Sequence, residues 1–148
     1  MATGITSVEL IEAPVDQVWA LTIDVERWPE LTPTMTSVER LDDGPLRVGS
    51  TARIVQPRQR PTVWTVTRLD APHAFEWQAK VGTLTMTARH HLEAEGDGCR
   101  NHLDLVLTGF GHGLAARLLG GTMRQAIATE NAGFKREAEG TRRATPTS

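Results

Sequence analysis

The chain has little that oxidation can use. Cys99 is its one cysteine. No disulfide can form within the chain, which points to a reducing compartment, and the expected location is cytoplasmic. Tyrosine is absent and aromatic residues make up only 5%, so no phenol serves as an acid, a base or a buried donor. An excess of one charge is also missing. The formal net charge is −2, which argues against nucleic acid as a partner. Residues 1–4 carry neither basic groups nor an apolar run, so neither a signal peptide nor stable membrane insertion is expected. No His, Cys, Asp and Glu group has metal-ligand spacing, so no metal and no cofactor are expected. His90-His91 is not a metal pair, because neighbours on a strand point to opposite faces. No serine sits in a nucleophile-elbow pattern, and Cys99 has no activating base near it in sequence. Gly109-Phe110-Gly111-His112-Gly113 lacks the strand–GxGxxG–helix order and reads as a hinge into the last helix.

What is present is ordinary in amount and informative in pattern. Hydrophobic residues make up 39% and charged residues 23% of 148, the composition of one globular domain, monomeric or homodimeric. Residues 1–140 read as that domain. Residues 141–148, rich in Thr, Arg, Pro and Ser, read as a disordered tail.

The rest is organised around residues 112–140. Leu119, Met123, Ile127 and Phe134 recur at helical spacing with Ala126 beside them, while Arg117, Arg124, Lys135 and Arg136 fall elsewhere. At ~1.5 Å per residue this helix is roughly 40 Å long, and it needs a partner of similar length. Glu130 interrupts the apolar stripe, so its carboxylate is either paired or aimed into unfilled space.

The preceding chain supplies the partner. Residues 5–11 read as a first strand. Two short helices follow, one opening at Pro14 and one over 24–31. From Met35 the period changes to two, giving strands over 35–41, 50–56, 62–69, 74–80, 83–94 and 100–110. Asp42-Asp43-Gly44-Pro45 and Gly96-Asp97-Gly98 are strong turn signals. Alternation puts Trp64 and Val66 on one face, with Phe75, Trp77 and Ala79 on the next strand. Leu84, Met86, Ala88, His90 and Leu92 continue it, followed by Leu103, Leu105 and Leu107. The class is α+β: a seven-stranded curved antiparallel sheet whose apolar face wraps the long C-terminal helix. A curved sheet and a straight helix touch at their ends and leave the middle unfilled.

In this order the sequence resembles the START-like, or SRPBCC, superfamily of polyketide cyclase/dehydrase and lipid-transport proteins, also called helix-grip proteins. The resemblance rests on Ala13-Pro14-Val15-Asp16-Gln17-Val18-Trp19, Asp24, Trp28-Pro29 and Arg47-Val48-Gly49-Ser50. Trp64-Thr65-Val66, Gly96-Asp97-Gly98, Glu130 and Phe134-Lys135 complete it. It implies a deep cavity between sheet and helix that holds an apolar or amphipathic small molecule. The superfamily mixes binders, transporters and enzymes, so it does not name a reaction.

Candidate residues follow from phase. His90 is inward by parity, and is either a core histidine with one partner or a ligand contact able to act as a base. Glu130 is either structurally paired or a polar anchor in the cavity. If the two face each other, they form an acid/base pair. Trp64 and Trp77 are flat walls for a planar ligand or plain core, and Trp28 and Phe75 carry the same alternatives. Met35, Met86 and Met123, with Leu105 and Ile127, complete the expected lining. Arg58-Gln59-Arg60 reads as a solvated loop, or as a mouth loop that steers an anion. Three functions remain open: a binder of a small hydrophobic or aromatic molecule, a cyclase/dehydrase-type enzyme using His90 and Glu130, or a protein–protein regulatory module.

Overall fold

The computed structural model describes residues 3–144. Strand β1 (Thr3–Ile11) leads into α1 (Val15–Ile23), a short 3-10 turn (Val25–Arg27) and α2 (Trp28–Leu31). Strands β2 (Ser37–Arg40), β3 (Thr51–Val55), β4 (Thr62–Asp70), β5 (Ala74–Val81), β6 (Leu84–Glu95) and β7 (Gly98–Gly109) follow, and α3 (His112–Ala144) closes the chain. The seven strands form one antiparallel sheet in the order β1-β7-β6-β5-β4-β3-β2.

Local chemistry explains the breaks. Pro14, at φ −60°, precedes α1, and Asp16 complements its first turn. The helix expected over 24–31 is two pieces instead. Pro29 has no N–H to extend the preceding turn, so the helix restarts at Trp28 with the proline in its first turn. The strand expected over 35–41 is limited to Ser37–Arg40, and Met35 precedes it in the loop. Between Val66 and Arg68 the β4–β5 register shifts: Val66 opposes Trp77 and Arg68 opposes Glu76, leaving Thr67 as a bulge residue. At the other end of the chain, α3 continues through Ala144, past the expected start of the tail, and residues 145–148 lie outside the described residues.

Burial follows the alternation. Trp64, Val66, Phe75, Trp77, Ala79, Leu92, Leu103 and Leu107 are buried on the helix-facing side. Thr87 is also buried although its phase is outward, because it sits on a central strand between Gln78 and Val106. The helix stripe is shorter than its periodicity suggests. Ile127, Phe134 and Ala138 are buried, whereas Leu119 is 50% exposed.

Two devices fix α3 in place. The first is a buried amide pair. Asn101 Nδ2 donates to Asn131 Oδ1 at 2.9 Å, and Asn131 Nδ2 donates to the backbone carbonyls of Ser7 and Asn101, each at 3.1 Å. This joins α3 to β1 and β7. The second is Gly133, which lets α3 meet α2 with backbone against backbone; a Cβ there would overlap the Leu31 carbonyl oxygen. Arg136 Nη2 also donates to that oxygen at 3.1 Å, satisfying a free carbonyl at the end of α2.

Candidate functional site

Sheet and helix part near the middle of α3 and leave a hollow. Its cavity volume is about 130 Å³, and it is partly open to solvent. An apolar cavity of about 150 Å³ takes up a benzene ring, so the hollow fits about one ring.

Aromatic rings build one wall. Trp28 is anchored through its Nε1, which donates to the Leu21 carbonyl at 3.2 Å. Its ring lies 5.1 Å from the His90 ring at 36°, 5.1 Å from Trp77 and 5.7 Å from Phe134. Trp64 and Trp77 lie 5.7 Å apart at 38°. Each of these pairs falls within the separations at which aromatic rings attract. Trp28, Trp64 and Trp77 reach the hollow, as do Met35, Met86 and Met123, with Leu105, Ile127, His90 and Glu130. Phe75 is different. It is wholly buried and supports the wall from behind, packed against Trp77 at 5.0 Å and His90 at 5.5 Å. Parity gave its face correctly but not its depth.

Two polar groups stand out. His90 is 5% exposed, and its Nδ1 is buried with no hydrogen-bond partner. Burial pushes its pKa down to about 3, so the imidazole is neutral. An unpartnered buried polar atom costs about 1–3 kcal/mol, and a ligand group is one way to recover that. Glu130 is half-buried, and burial pushes its carboxyl up to about 7. The hollow leaves part of its surface open, but protein around the carboxyl displaces bulk water. A structural partner for it is absent: among the described residues Glu130 makes neither a hydrogen bond nor an ion pair. His90 and Glu130 line the same hollow without bonding each other.

Other polar lining comes from Gln56, Gln59 and Thr122. Gln56 was legible, since it continues the phase of Ala52 and Ile54. Gln59 was not, because it sits in the Arg58-Gln59-Arg60 loop, where no periodicity operates. His91 faces outward with Nε2 3.1 Å from Glu93 Oε1. Cys99 is buried and its thiol is pushed up to about 11, which leaves it unreactive. Among the described residues no group of His, Cys, Asp and Glu is placed to hold a metal ion, and no helix is long and apolar enough to cross a membrane.

Residues 2–139 match the protein family described as polyketide cyclase / dehydrase and lipid transport. The chain belongs to that family. Solved structures agree on its fold. The Zhui aromatase/cyclase from Streptomyces sp. R1128 is similar at 18% identity, with a TM-score of 0.78 over 98% of this chain and 97% of that one. TTHA0849 from Thermus thermophilus is similar at 17% identity, with a TM-score of 0.71 over 94% and 99%. Ara h 8.0201 is similar at 14% identity, with a TM-score of 0.72 over 98% and 100%. No curated protein matches the chain. The family and these relatives establish an SRPBCC helix-grip fold. They do not name a ligand or a reaction.

Proposed function

We propose that the protein binds a small, planar, largely apolar molecule between the sheet and α3. One observation carries this reading: the interior is open where it would otherwise be filled, and its wall is mostly indole, thioether and aliphatic carbon. At about 130 Å³ the hollow favours a ligand that places one ring inside and the remainder toward the open side. The unpartnered Nδ1 of His90 and the carboxyl of Glu130 supply polar contacts that orient it. A regulatory module built on a solid interior has no use for such a hollow, and that reading is correspondingly weaker.

Calorimetric titration with naphthylmethanol tests the proposal. Ala88 on β6 and Ala126 on α3 both border the hollow. Ala88→Phe and Ala126→Phe fill it from opposite sides and are expected to abolish binding while circular dichroism stays native. Unchanged affinity in both folded variants would refute the assignment.

A second reading, a cyclase/dehydrase-type reaction, is favoured by Glu130. A carboxyl at about 7 is matched to proton transfer near neutral pH. His90, at about 3, is too weak a base to share that role and serves to orient a carbonyl or hydroxyl. In this reading Glu130→Gln removes turnover of a polyketide-like substrate while binding persists. Retained turnover would remove Glu130 from the chemistry.

A further inference from the structure

We propose that the hollow selects an aromatic amine, a planar ring carrying a protonated nitrogen, with Glu130 as its counter-ion and the indole rings as its walls. This rests on the reading of the hollow as a ligand site and narrows it to one chemical class.

The argument begins with how the chain treats its other shielded acids. The Glu76 side chain is 17% exposed and is held by Arg68 at 3.3 Å and Arg89 at 3.0 Å. Glu139, at 16%, is paired with Lys135 at 2.7 Å. Asp42, at 21%, takes Arg40 at 3.1 Å together with Ser50 Oγ and the Thr51 N–H. Glu130 breaks this pattern. It is a shielded carboxylate on the hollow, and among the described residues no cation reaches it. The other charged residues on the wall are already engaged: Arg89 by Glu76, and Asp104 by the Thr6 hydroxyl at 2.7 Å. An unpaired acid beside apolar surface is unfavourable. A ligand cation would supply what the protein withholds.

The walls suit the same ligand. Glu130 lies one helical turn before Phe134, whose ring packs against Trp28 and His90, so the carboxyl stands on the same helix face as that ring cluster. Indole faces attract cations, most strongly where water is excluded. The sulfurs of Met35, Met86 and Met123 are polarizable and adapt to the ring edge. The neutral imidazole of His90 adds no positive charge to repel an ammonium group. Binding would hold Glu130 ionised. Its carboxyl sits at about 7 without a ligand, so near neutral pH a proton leaves as the amine enters.

Calorimetry with naphthylmethylamine and naphthylmethanol, on the native chain and on Glu130→Gln, decides the matter. The amine is expected to bind about tenfold or more tightly to the native chain. That preference disappears in Glu130→Gln. Repeating the native titration in buffers of different ionisation heat gives proton release with the amine and none with the alcohol. Equal or tighter binding of the alcohol would overturn the inference while leaving the ligand site intact, as would an amine preference that survives in Glu130→Gln. If neither compound binds, the ligand-site reading itself falls, and this inference with it.

Discussion

Replacing Glu130 by glutamine should stabilise the protein, and by an amount that depends on pH. In the folded chain the carboxyl is raised by burial from its ordinary 4.5 to about 7. The folded state therefore binds more protons than the unfolded state between these values. By linkage, stability is full below about 4.5 and falls as pH rises through that window, levelling off above about 7. The span corresponds to on the order of 3 kcal/mol. Glutamine does not titrate, so the Glu130→Gln variant lacks this loss. Between pH 5 and pH 8 its advantage over the native chain should grow by about 2 kcal/mol. With a urea slope of about 1–3 kcal/mol per molar, the gap between the two midpoints widens by roughly 1 M. Comparing native and variant at each pH cancels every other titrating group. A gap that stays the same at both pH values would mean that Glu130 is solvated or paired in solution, contrary to its placement on the hollow.

Two further outcomes test the supports of the site. Gly133→Ala drives a Cβ into the Leu31 carbonyl and is expected to cost at least about 2 kcal/mol in chemical denaturation. Gly121→Ala, on the same helix with open space at its Cβ position, should be neutral or stabilising by up to about 1 kcal/mol; equal effects at the two positions would contradict the close packing of α3 on α2. Asn131→Leu strands the buried amide of Asn101 and the Ser7 carbonyl. It should cost about 3 kcal/mol and lower the melting temperature by roughly 10 °C in calorimetry, and an unshifted melt would show that this link does not hold the helix.

Most of the sheet was legible because its signal has a period of two and one side is dry. That is why Trp64, Trp77 and His90 could be placed on the cavity side from parity alone. Depth was not legible. Phase cannot separate a ring that forms the wall, such as Trp77, from one that backs it, such as Phe75. Nor can phase show how far along a helix burial extends, and Leu119 falls outside the buried stripe. The Asn101–Asn131 pair joins positions 30 apart on different elements, and no local pattern marks such a meeting. Glu130 was conspicuous as an acid inside an apolar stripe. Whether it had found a partner is a question only the packed structure answers, since every candidate cation had first to be located.

The central claim is an open hollow walled by named side chains, and its methionines can report on it directly. Three of the four methionines, Met35, Met86 and Met123, line the space on the β2 loop, β6 and α3. Methyl NMR of [13C-methyl]methionine-labelled protein, titrated with naphthylmethanol, reads each one. The account predicts that these three signals shift together, with one affinity, under the ring current of the bound aromatic. Binding that leaves all three unmoved would contradict it.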